Sequence, residues 1–136
     1  MNSFYMNGYL WHVIFVNPND PRLVDRTNTL RIATTDPVTS HVYISEDLYG
    51  VYLAHVLTHE LGHCVMISFG LLTKIHKMVQ PRYWIEAEEW ICNFIADYGM
   101  GIFYTLYSIL GYNAIDYIPQ ELERLIFEKE RYMVWN

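Results

Sequence analysis

Cysteine is scarce, with two residues in 136, Cys64 and Cys92. Two thiols, each inside a helical pattern, exclude a disulfide-scaffolded secreted domain and fit a reducing compartment. Basic residues are also few. Nine Lys and Arg stand against fifteen Asp and Glu, a net charge of −6, so no surplus of cations is present to release counterions from a nucleic-acid backbone. Direct nucleic-acid binding is therefore not expected. Charged residues make up only 18% while hydrophobic ones reach 52%, which excludes intrinsic disorder. The opening MNSFYMNGYLWHVIFVNP has no Lys or Arg ahead of its apolar stretch and no small-residue cleavage site, unlike a secretory signal. The expected location is cytoplasmic.

One charge-free run stands out, at residues 98–115. It approaches the length of about 17–20 residues needed to span a bilayer. However, it contains three Gly, four Tyr, Ser108, Thr105 and Asn113, and its end reads as a turn. A buried core helix is expected there, and no membrane association. A chain of this length suits one domain over residues 1–136.

The first third reads as strands. Residues 10–16 are rich in β-formers and stop at Asn17-Pro18-Asn19-Asp20-Pro21. Residues 29–34 alternate Leu30 and Ile32 against Arg31 and Ala33, Thr35-Asp36-Pro37 reads as a turn, and residues 41–45 form a third strand. The last two form a hairpin in a small, mostly antiparallel sheet, and residues 41–45 are taken as its edge. From Ser45, a candidate N-cap, the period changes. Leu53, Leu57, Leu61 and Val65 recur every fourth residue, and Gly70 suits the helix end. Pro81 opens a second helix over residues 82–98, with Trp84, Ala87, Ile91, Ile95 and Tyr98 on one stripe. Further helices are read over residues 102–110 and 120–134. Strands followed by helices give an α+β class.

His59-Glu60-Leu61-Gly62-His63 is an H-E-x-x-H sequence inside the first helix. Residues four apart lie on one helical face with Cβ atoms about 5–6 Å apart. Two imidazoles at that spacing can grip one tetrahedral Zn²⁺, and Glu60 is placed to take a proton from a bound water. A catalytic zinc generally takes a third protein ligand. The second helix offers Glu86, Glu88 and Glu89. Helix geometry sends Glu86 toward solvent, sets Glu88 nearest the apolar stripe and puts Glu89 at its edge, which leaves the ligand open.

Twenty-six residues after His63 comes Glu89-Trp90-Ile91-Cys92-Asn93-Phe94-Ile95-Ala96. Together with H-E-x-x-H this resembles the ImmA/IrrE-like metallopeptidases, short zincins common in phages and mobile elements, whose second helix reads E-x-x-A-[ND]-x-[FY]-A; here Cys92 takes the small position and Ile95 the aromatic one. The resemblance covers residues 29 to about 97. It implies a minimal zincin-like fold: a sheet, an active-site helix, a Glu-ligand helix and C-terminal helices. It also implies Glu89 as third ligand, with Asn93 supporting it. The expected activity is zinc-dependent hydrolysis of peptide bonds in a protein substrate such as a repressor or host factor. The rival is a non-catalytic protein from a phage or mobile element, stapled by zinc, that binds a host regulator or defence factor.

The remaining candidates are weaker. His55 lines up with His59 and His63 but lies about 12 Å along the axis from His63, too far to share an ion. His12, His41 and His76 have no partner in the sequence. Cys64 and Cys92 read as small packing residues, although thiolates bind zinc well. A donor for a developing oxyanion is expected among the Tyr and His of the sheet or of residues 71–80.

Overall fold

The computed structural model describes residues 2–114, together with residues 124, 125, 127 and 128. The chain is α+β: a four-stranded, mostly antiparallel N-terminal sheet is followed by helices. It divides into two compact units, residues 1–99 and 100–136.

Strands β1 (Asn2–Met6) and β2 (Tyr9–Val16) form a hairpin with Met6 opposite Tyr9. Its two-residue turn places Asn7 and Gly8 at φ +48° and +83°, the left-handed pair that the tightest hairpins require. Strands β3 (Ala33–Asp36) and β4 (His41–Ser45) form a second, antiparallel hairpin. The two hairpins join through a parallel β2–β4 pairing, so the strand order is β1-β2-β4-β3. The edge strands are therefore β1 and β3, and β4 lies inside the sheet, contrary to the expectation from sequence. The alternating residues at 29–32 do not extend β3 either. They turn back on the preceding segment, where Leu30 bridges Val24 and the Arg31 N–H donates to the Leu23 carbonyl.

Helix α1 (Gly50–Ser68) lies on the sheet. Ser45 does not cap it: Ser45 is the buried last residue of β4, and its hydroxyl donates to Asp47. The helix ends as a Schellman turn. Gly70 takes φ +64°, its N–H donates to Ile67, and the Leu71 N–H donates to Met66 at 2.8 Å. The core between sheet and helix gathers Trp11, Val13, Ala33, Val42, Ile44, Val56 and Cys64. Trp11 is fully buried, and its indole N–H donates to Ser68 Oγ at 2.8 Å, tying β2 to the last turn of α1.

Short helix α2 (Leu72–His76) leads through a 3₁₀ turn at Pro81–Tyr83 into α3 (Trp84–Leu110). Two helices were expected along α3, yet the chain runs through Gly99 and Gly101 without a break. Neither glycine takes a positive φ, and an interior glycine costs a helix only about 1 kcal/mol. The buried line of α3 is Glu88, Cys92 and Ala96, not the anticipated stripe of Trp84, Ala87, Ile91, Ile95 and Tyr98, whose ends Trp84 and Tyr98 are exposed. Met66, Ile75 and Cys92 make a second core cluster among α1, α2 and α3.

In the second unit, α3 finishes and a 3₁₀ turn follows at Gly111–Ala114. Ile102, Tyr104 and Ile109 are exposed. This part of the chain is thus not the buried core helix expected, because the core clusters gather on the sheet, α1, α2 and the start of α3. No helix among the described residues is long and apolar enough to cross a membrane. Residues 124, 125, 127 and 128 are helical, with Arg124 and Glu128 3.9 Å apart. The rest of the helix expected over residues 120–134 lies outside the described residues.

Helices α1 and α3 come close together at Gly62. A Cβ there would lie 3.1 Å from Cys92 Sγ and 3.4 Å from Cys92 Cα. Gly62→Val is expected to push the helices apart and lose about 1–3 kcal/mol, the usual cost of overpacking a filled site. Urea unfolding checks this, and wild-type stability in the variant would contradict the close contact.

Candidate metal centre

The Gly62–Cys92 contact sets the geometry one turn away. His59 and His63 project from α1 with ring centroids 5.1 Å apart. Glu89, three residues before Cys92 on α3, reaches both. One carboxylate oxygen lies 2.9 Å from His59 Nε2 and the other 3.3 Å from His63 Nε2. Glu60, between the two histidines, is 6% exposed. Its Oε2 accepts from the Thr35 hydroxyl of β3 at 2.5 Å. Edge strand and active helix are thereby linked at the floor of a cleft of about 520 Å³, lined also by Arg26, Arg31, Tyr52, His55 and Asn93.

The alternative carboxylate, Glu88, does not face the imidazoles. It is 4% exposed and accepts from Arg26 Nη1 at 3.2 Å, with His76 Nε2 at 3.2 Å on its other oxygen. Helix geometry set Glu88 nearest the stripe of Trp84 and Ile91; it is buried, but in line with Cys92 and Ala96. Burial is a reason it meets fixed partners rather than an open site, since a carboxylate removed from water needs them. Asn93 lines the same cleft and interacts with His59. His55 pairs with Asp97 at 2.6 Å. Cys92 Sγ and one ring nitrogen each of His59 and His63 lie within 4.8 Å of one another, so the thiol is a further candidate ligand. It is fully buried, and burial, with the charges of Glu89, Glu60 and Glu88, pushes its pKa far up. Burial likewise lifts Cys64 to about 12.

The donor set suits a divalent ion. Tetrahedral ligands at about 2.0–2.2 Å from zinc lie roughly 3.3 Å from one another, close to the two separations between the imidazoles and Glu89. The sequence reading missed three features: Thr35 as the partner of Glu60, Arg26 at the cleft, and the pairing of His76 with Glu88. All three depend on contacts across 12 to 62 residues of chain, for which local periodicity carries no signal. Comparison with protein-family models, curated proteins and solved structures gives no match.

Without metal, the three groups bind each other. Hydrogen bonds from His59 and His63 hold the Glu89 carboxyl well below its ordinary 4.5, against an opposing effect of burial. Burial lowers the His59 pKa, but the Glu89 hydrogen bond and the charges of Glu60 and Glu89 outweigh it, leaving a value above 6.5. Glu89 thus contributes stability above its unfolded pKa, lost as pH falls through the folded value. His59 contributes fully below its unfolded pKa, and this is lost as pH rises through its raised one. In chelator, the melting temperature of wild type relative to Glu89→Gln is expected to be highest between about pH 4.5 and 6.5 and to shrink on both sides. A difference that stays constant with pH would refute the pairing.

Proposed function

We propose that the chain is a zinc-dependent peptide hydrolase of minimal zincin-like architecture. In this reading His59, His63 and Glu89 hold the ion and Glu60 is the general base. The observation that carries it is the approach of two imidazole Nε2 atoms from α1 to the two oxygens of one carboxylate from α3, beside a buried acid in a cleft. A bound zinc ion supplies a water of lowered pKa and polarises the scissile carbonyl. Thr35 fixes the Glu60 carboxylate through Oε2, and the other oxygen takes the proton of the attacking water and returns it to the leaving amine. The edge strand β3 runs along the cleft, and an extended substrate joins it by strand addition. This role moves to β3 from β4, which lies inside the sheet. The ImmA/IrrE-like resemblance of the motifs supports a protein substrate, such as a repressor or host factor; that part of the reading is family analogy.

Zinc analysis and cleavage of labelled casein test the proposal. Wild type is expected to carry zinc and cleave. Glu60→Gln keeps the metal and loses at least about 10²-fold in rate, as removal of a general base does. His59→Ala loses the metal. Full activity in Glu60→Gln, or wild type free of zinc after zinc loading, overturns it.

A second reading rests on Cys92. If its thiolate completes the coordination sphere with His59, His63 and Glu89, the site is closed, and the ion staples α1 to α3 in a non-catalytic interaction protein. Cobalt substitution separates the two. The hydrolase is expected to lack thiolate-to-cobalt charge-transfer absorption and to keep its zinc in Cys92→Ser. A closed site shows the absorption and loses zinc in that variant.

A further inference from the structure

Glu88 is a buried carboxylate that neither the ligand set nor the proton transfer uses. Its partners indicate what it does. Arg26 donates to it through Nη1 at 3.2 Å, while Arg26 Nη2 lies 3.9 Å from Glu89 Oε1. That same Glu89 oxygen is 3.3 Å from His63 Nε2. The guanidinium therefore stands one carboxylate oxygen away from the metal-facing nitrogens. It is 48% exposed and lines the cleft, and a guanidinium has more N–H donors than these contacts occupy.

Both sides of this contact are built to hold it. Glu88 is fixed from behind by His76. The His76 ring stacks on Trp84 at 4.3 Å, and the Trp84 indole N–H donates to the His76 carbonyl. The loop carrying Arg26 is held by Asp25. Its Oδ1 accepts from the backbone N–H groups of Thr27 and Thr29 and from the Thr27 hydroxyl, and its Oδ2 accepts from Arg31 Nε at 2.7 Å. Arg31, the other guanidinium at the cleft, is bonded through Nε to Asp25 and also feels the charge of Glu89, whereas Arg26 bonds Glu88 and places Nη2 3.9 Å from the Glu89 oxygen that faces His63. In a chain of net charge −6, an Arg held by a buried carboxylate with half of its side chain exposed to the cleft is placed to meet negative charge there.

We propose that Arg26 is a catalytic residue of this cleft, donating to the carbonyl oxygen of the scissile peptide as it gains negative charge, with Glu88 as the residue that positions it. This rests on the hydrolase reading above. Sequence reasoning sought the donor among Tyr and His; a positioned guanidinium provides the same stabilisation, and loss of one such donor typically costs about 10²- to 10³-fold in rate.

The test uses inorganic phosphate, an oxyanion, titrated into the zinc-loaded chain by calorimetry, with zinc affinity measured separately by competition with a chelating dye. Arg26→Ala is expected to weaken phosphate binding about 10- to 100-fold, the effect of losing a charge-assisted pair, with zinc affinity unchanged and binding partly restored by added guanidinium ion. Glu88→Gln keeps an amide oxygen for Arg26 and is expected to retain phosphate affinity, whereas Glu88→Ala loses it at unchanged zinc affinity. Unchanged phosphate binding in Arg26→Ala, in a chain that binds zinc, overturns this assignment alone. Failure of the unsubstituted chain to bind zinc overturns the hydrolase reading and this assignment with it.

Discussion

The site depends on one close approach, that of α1 to α3 at Gly62 and Cys92. No side chain intervenes on α1 at that point, so the two helices meet backbone against a small thiol. On α1, His63 is the next residue after Gly62 and His59 lies one turn before it, and one turn before Cys92 on α3 is Glu89. Three polar groups from two helices can meet at 2.9 and 3.3 Å only if the helix axes are brought this near. Packed interiors resist even small changes in volume, so the spacing of His59, His63 and Glu89 is inherited from the core beneath them.

The sheet contributes in a different way. Trp11 and the second hairpin anchor α1, and Thr35 reaches from the edge strand to Glu60. Glu60 and Glu88 are both buried acids, and each has its own hydrogen-bond donors, as carboxylates out of water require. Their surroundings separate them. Glu60 borders the imidazoles and the open cleft, while Glu88 sits between Arg26 and His76.

Much of this was legible in the sequence. The four-residue leucine repeat gave α1, Gly70 marked its end, and the spacing of His59 and His63 put both rings on one face. Motif and periodicity disagreed over Glu88 and Glu89, and each contained part of the answer: Glu88 does lie on the buried line, and Glu89 does reach the imidazoles. Other features were legible but unread. Asn7-Gly8, flanked by Phe4 and Met6 on one side and Tyr9 and Trp11 on the other, is the sequence of a tight hairpin and encodes β1. The order of the strands was not accessible in the same way. The parallel pairing of β2 with β4 follows from a long connection, not from alternation, and it leaves β3 at an edge. Similarly, Gly99 and Gly101 weaken a helix without ending it, so composition alone did not distinguish one long helix from two.

The connection between β2 and β4 has a consequence for how such a protein diversifies. Residues 25–35 carry Arg26 and Thr35, whereas the ion-binding groups come entirely from α1 and α3. Under the proposed reading, the groups that bear on the reacting atoms from the sheet side and the groups that would hold an ion therefore lie in separate stretches of the gene. Substitutions in residues 25–35 can reshape the cleft wall while His59, His63 and Glu89 keep their places on the two helices.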